Sequence, residues 1–184
     1  MERKKFLSIT AAAIPALLVG ENVKAQKLKR PNKGFVVKAT ESRFGEKTLL
    51  SGKNPNDIKV SQKDTNGDLT IFEYTGNEKG GPPLHIHPHQ DEIFFIVQGE
   101  YLFQVGDEEH NLKAGDTIFL PRQVKHTFAQ LTDKGKMFFL FQPSGKMEDY
   151  FRILGNLTSF PTPEQAGKIF AEHDMKIVGP PLKF

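Results

Sequence analysis

Four side chains carry the most specific chemistry in this chain: His85, His87, Glu92 and His126. They fall in two blocks, GPPLHIHPHQDEIFFIVQG over 81–99 and GDTIFLPRQVKHTF over 115–128. Three imidazoles and one carboxylate form a nitrogen and oxygen donor set suited to a divalent transition metal. Alternation along an extended strand puts His85 and His87 on one face, about 6–7 Å apart, so both can reach one ion. Glu92 opens the run EIFFIVQG and points the same way as Phe94 and Ile96. The fourth donor must come from elsewhere in the chain, and His126, at the start of HTFAQ, is well placed to supply it. His89 shares the parity of the pair, so a His87/His89 set is an alternative, and Asp91 is an alternative carboxylate. His110, in the charged stretch DEEH, reads as a solvated turn residue. His173 ends a helix, where a cation suits the dipole, and reads as structural.

The elements that must position these groups are short. From Phe35 onward, apolar runs alternate with turn signals: FVVKA, TLLSG, IKVSQ, LTIFEY, EIFFIVQG, YLFQVG, TIFLP, HTFAQL and KMFFLFQP. Runs rich in Phe, Val, Ile and Thr at this spacing indicate an all-β sandwich or barrel. Asn66-Gly67, between IKVSQ and LTIFEY, predicts a two-residue hairpin, and Gly106-Asp107 predicts a turn after YLFQV. DTNGD over 64–68 alternates its oxygen donors but lacks the later Gly and distal Glu of a calcium-binding EF-hand loop, so it reads as a plain turn. Helices are confined to the C-terminal third. GKMEDYFRILGNL over 145–157 has Met147, Tyr150, Phe151 and Leu154 at helical spacing. A second helix starts after Thr162, with Pro163 at N1 and Gln165 completing a capping box, and runs to about His173.

Size and charge bound the rest. At 184 residues the chain suits one domain, and a net charge of +3 is too small for a nucleic-acid footprint. Residues 1–25 read as a cleaved export signal: a basic start (Arg3, Lys4, Lys5), an apolar stretch from Phe6 to Val19 broken by Pro15, then Val23 and Ala25 before a cleavage site. Arg3-Lys4-Lys5-Phe6-Leu7 resembles a twin-arginine signal with Lys at the second Arg, and general secretory export is the alternative. The expected destination is therefore periplasmic or secreted, with no stable membrane anchor after cleavage. Residues 26–34 are basic and aperiodic and read as a flexible lead-in, leaving 35–184 as a single domain. The chain has no Cys, so disulfides and thiolate metal ligands are both excluded.

The pattern HxHxxxxE followed by six residues and Gly (His85, His87, Glu92, Gly99) resembles the first cupin motif. Gly115, Pro121 and His126 resemble the second. There are departures. Four residues rather than five separate Gly80 from His85, and Gln123 and Gln130 stand where the second motif has Gly and Asn. The resemblance runs from about Phe35 to Lys183 and is to single-domain cupins similar to quercetin 2,3-dioxygenase. It favours Glu92 over Asp91, since Glu92 keeps the six-residue step to Gly99. It implies a double-stranded β-helix, the cupin jelly-roll barrel, with one or two C-terminal helices and commonly a homodimer. It also implies one divalent transition metal per chain on His85, His87, Glu92 and His126. Fe or Mn is expected from the donor set and export, with Ni, Co, Cu and Zn as alternatives.

By the same resemblance the expected activity is that of a metal-dependent dioxygenase acting on an aromatic or enolisable small molecule. Glu92 is then both ligand and general base. Phe94, Ile96, Phe103, Phe119, Phe128, Phe139 and Phe141 are candidates for an apolar pocket, though ordinary core packing explains most of them equally well. The alternatives are a non-catalytic small-molecule binder, a sugar-modifying enzyme, and a barrel whose metal is structural. Of polar groups suited to a sugar, the strands near the motifs offer few beyond Gln98, Gln104, Gln130 and Gln142. A structural metal usually has a closed shell and often uses Cys, which this chain lacks.

Overall fold

Alternating apolar residues with turns between them build two antiparallel sheets face to face. The computed structural model describes residues 30–50, 52–159 and 161–184. The export signal read over 1–25 and the first residues of the lead-in lie outside them. In chain order the elements are β1 (Leu49–Leu50), β2 (Asn54–Val60), α1 (Gln62–Thr65), β3 (Thr70–Gly76), β4 (His85–Ile86), β5 (Asp91–Gln98) and β6 (Glu100–Val105). Then come β7 (Glu108–Lys113), β8 (Thr117–Leu120), β9 (His126–Gln130), β10 (Gly135–Gln142), α2 (Met147–Gly155), α3 (Pro163–Glu172) and β11 (Lys176–Ile177). One sheet has the order β1-β2-β3-β10-β5-β8, the other β11-β4-β9-β6-β7. This is the all-β jelly-roll expected, with two C-terminal helices against one end. Among the described residues no helix is long and apolar enough to cross a membrane.

The core lies between the sheets. Along β10 every second residue, Gly135, Met137, Phe139 and Phe141, is buried, and β5 buries Glu92, Phe94 and Ile96 on the same side. Phe94 reaches across to Phe103 and Phe128 of the other sheet, with ring centroids 5.1 and 5.7 Å apart. Phe72, fully buried, stacks on Phe139 at 5.1 Å and meets Phe151 of α2 edge-on at 4.8 Å. Opposite parity puts Phe95, Val97 and Phe119 on the outer face, where each is about half exposed.

Gln130, where the second motif has Asn, ties the sheets together. Wholly buried, it donates from Nε2 to the Thr132 and Gly76 carbonyls (2.8 and 3.4 Å) and accepts from the Tyr101 hydroxyl (3.3 Å). Its amide fits because Gly76 has no side chain: a Cβ there would lie 1.7 Å from Gln130 Oε1.

Three local expectations are corrected. Asn66-Gly67 does not turn a two-residue hairpin. Ser61 and Asp64 form a capping box that starts α1, and Asn66 takes the left-handed C-cap position (φ 59°) with Gly67 following at φ 86°. The dipeptide supplies left-handed residues as anticipated, but ends a helical turn with them. FVVKA is not a strand: its neighbours Phe35 and Val36 are both exposed, so the run has no alternating buried face to pack on a sheet. His110 lies within β7, opposite Phe103, and not in a turn; the turn is at Gly106-Asp107, as expected. The carboxylates of DTNGD are used within the protein, Asp64 by Arg43 and Asp68 by Arg30.

Candidate metal centre

Three parts of the chain carry the four predicted ligands to one mouth of the barrel: β4 and the residue after it, β5 and β9. β4 is two residues long and survives because it is paired on both sides. His85 is in register with His126 of β9 on one side and with Ile177 of β11 on the other. His87 follows β4, and its carbonyl accepts the Gln123 N–H at 2.8 Å, joining the first ligand segment to the turn before His126. In that turn Gln123, where the motif has Gly, adopts a left-handed backbone (φ 67°), a conformation that favours glycine. Glu92 comes from the opposite sheet, in register with Phe141 and Leu120.

One donor atom from each of His85, His87, Glu92 and His126 lies within 4.8 Å of the others, and all four residues are buried. The alternatives separate cleanly. His89 is exposed. Asp91 accepts hydrogen bonds from the Arg122 backbone N–H (2.8 Å) and guanidinium (2.5 and 3.0 Å), which hold its carboxyl below the usual range. His173 caps α3, buried, its Nδ1 2.7 Å from the Ile169 carbonyl.

The donors fit a cation. His85 Nδ1 lies 2.8 Å from the Pro83 carbonyl and His126 Nδ1 3.0 Å from the Val124 carbonyl. A carbonyl can only accept, so each ring carries its proton on Nδ1 and presents the Nε2 lone pair to the cluster. His126 Nε2 is buried with no hydrogen bond and stands 3.3 Å from Glu92 Oε2; His87 Nε2 is 3.9 Å from the same oxygen. A divalent ion would satisfy these lone pairs and neutralise the carboxylate. Without one the site avoids charge: burial lowers His85 and His126 to about 4 and His87 well below its ordinary value, while pushing Glu92 up to about 8.

The cluster opens on a cavity of about 1000 Å³, at the upper end of the usual size for small-molecule sites. Of the aromatics anticipated there, Phe94, Phe128, Phe139 and Phe141 line it. Ile96 and Phe103 are buried in the core without lining it, and Phe119 is 54 % exposed on the outer face. Both helices contribute walls that sequence reasoning left out: Met147, Tyr150, Phe151 and Leu154 from α2, Phe170 from α3. The α2 residues are the apolar stripe read from the sequence, but periodicity does not say what a stripe faces. Phe170 packs edge-on against His85 (5.6 Å) and Phe141 against His87 (5.2 Å), so apolar rings shield the ligands.

Fold and site now coincide with a known class. Residues 71–142 match the cupin domain, and the two-sheet fold around them is that of solved cupins. An RmlC-like cupin from Shewanella frigidimarina superposes with a TM-score of 0.53 at 19 % identity, covering 63 % of this chain and 96 % of that one. A predicted oxalate decarboxylase from Thermotoga maritima gives 0.52 at 17 % identity, covering 60 % and 99 %. Among curated proteins, quercetin 2,3-dioxygenase of Bacillus subtilis (strain 168) is 28 % identical over 123 residues, 67 % of this chain and 36 % of that protein. Protein SchB of Streptomyces halstedii is 26 % identical over 83 residues, 45 % of this chain and 57 % of its own length. The chain thus spans about a third to just over half of the length of these curated relatives. Within the matched cupin domain the four-residue cluster fits one divalent ion.

Proposed function

We propose that this protein is a metal-dependent dioxygenase acting on an aromatic or enolisable small molecule. The observation that carries this reading is a His₃Glu cluster at the wall of a large, mostly apolar cavity in which Phe, Pro and Leu are the commonest lining side chains. A divalent ion held there by His85, His87, Glu92 and His126 would supply open positions for substrate and dioxygen. The chain's own groups do the rest. Phe94, Phe139 and Phe141 receive a flat apolar ring and exclude water. Glu92, ionised when it holds the ion, accepts the proton of a substrate hydroxyl. The likeness to a quercetin 2,3-dioxygenase supports the reaction class. The apolar lining counts against a sugar, which needs several polar partners.

The test is oxygen uptake by Fe- or Mn-loaded protein on adding a flavonol or a catechol. Uptake is expected in the native chain and lost in His87→Ala. Metal-replete protein that binds these compounds and consumes no oxygen is a binder, and the catalytic reading then fails. The homodimer implied by the cupin resemblance belongs to the same reading and is checked by sedimentation equilibrium.

A further inference from the structure

Few polar groups near the metal ligands are free to meet a substrate. Thr127 Oγ1 lines the cavity but donates to the Pro82 carbonyl at 2.7 Å. Asn54, elsewhere on its wall, uses Oδ1 to accept the Asn77 N–H. Two phenols on the wall, Tyr74 and Tyr150, have hydroxyls with no hydrogen-bond partner among the described residues, and Tyr150, 7 % exposed, is the one packed toward the metal ligands. It stands one ring away from the ligands: Phe170 lies 5.6 Å from His85 and 5.3 Å from Tyr150, edge-on to both. Burial raises the proton affinity of the phenol above its ordinary value, and Tyr150 is a donor at neutral pH.

The ring is also held still. Two residues earlier on α2, Glu148 is wholly buried and accepts from Gln62 N–H (2.5 Å), Thr70 Oγ1 (2.9 Å), Ser61 Oγ (3.1 Å) and Arg152 Nη2 (3.2 Å). This network pins the helix, while Phe151, Phe170 and His173 pack around the phenol edge-on at 5.1 to 5.7 Å. A donor fixed before its acceptor arrives loses little entropy on binding.

We propose that the Tyr150 hydroxyl donates a hydrogen bond to a substrate oxygen beside the metal centre, so that the cavity selects aromatic compounds with two adjacent oxygens. One oxygen meets the ion held by His85, His87, Glu92 and His126, and its neighbour meets Tyr150. This rests on the reading of the cavity as a substrate site and names the substrate feature that the site requires.

The experiment compares 4-nitrocatechol with 4-nitrophenol as probes, titrated into iron-loaded native protein, Tyr150→Phe and Tyr150→Met and followed by visible absorption. Both variants should keep the native iron content and bind 4-nitrocatechol about 3–10-fold more weakly, the loss of one hydrogen bond. The absorption band of the bound catechol should shift in both variants, while 4-nitrophenol affinity stays unchanged. Equal catechol affinity in all three proteins overturns the proposal, as does an equal loss for both probes, a loss of iron with the hydroxyl, or native protein that binds neither probe. Oxygen uptake recorded in parallel separates the two claims. Selective, Tyr150-dependent catechol binding without oxygen consumption supports this assignment and refutes the dioxygenase reading.

Discussion

Loading the metal-free protein with a divalent ion should release a proton from one identified residue. His85 and His126 are lowered to about 4 and His87 lies well below its ordinary value, so all three are already neutral at pH 7 and have nothing to release. Glu92, raised to about 8, is about 90 % protonated at that pH. A coordinated carboxylate is ionised, so binding at pH 7 expels about 0.9 proton, falling to about 0.1 at pH 9. Ionising Glu92 one pH unit below its midpoint costs about 1.4 kcal/mol. Apparent affinity should therefore rise about tenfold per pH unit up to neutrality and level off above pH 8. Calorimetric titration of Mn²⁺ in buffers of different ionisation enthalpy measures the release directly. Glu92→Gln, which keeps the shape and removes the titrating group, should bind the ion more weakly and without proton release. Release near zero in the native protein, or equal release in both proteins, would refute the reasoning.

The same groups set the stability of the chelator-treated protein. From about pH 4 to 6.5 native His85 and His126 bind fewer protons than they do unfolded, so stability rises with pH. From about 4.5 to 8 native Glu92 holds a proton that the unfolded chain has lost; the histidines outweigh it below about 6.5, and above that stability falls by up to about 1.4 kcal/mol per pH unit. Thermal melts should show this maximum near pH 6.5 and lose the alkaline fall when metal is saturating. Phe72→Ala, deleting a ring packed on Phe139, Phe141 and Phe151, should cost about 3–5 kcal/mol in chemical denaturation. Gln123→Gly should gain about 0.5–1 kcal/mol by relieving a left-handed non-glycine residue, with metal content unchanged.

The ligand set was legible because it is written in local spacing. Strand parity alone aligns His85 with His87 and Glu92 with Phe94, and the structure keeps both alignments. The α3 cap was legible for the same reason: Thr162 and Gln165 bond each other across three residues. Asn66-Gly67 read alone predicts a hairpin turn, whereas the Ser61/Asp64 capping box, equally local but left out of that reading, decides the geometry. The part played by Tyr150 and Phe170 was not legible at all, because it depends on how α2 and α3 lie against the barrel mouth. Phe119 failed in the opposite sense. Its run reads as core, yet on β8 it has outward parity, opposite Ile93.

The pairing of β11 with β4 ties the metal centre to the far end of the chain. The strand carrying His85 is two residues long, and one of its two neighbours follows β5 to β10 and both C-terminal helices in the sequence. Leu84, just before it, is bonded to Val178, Gly179 and Pro180 of the same late segment. The C-terminal segment is thus part of the frame that holds His85, although it supplies no ligand. Residues 176–180 act as a remote clamp on the metal centre, so a change there reaches the ligand set through backbone hydrogen bonds alone.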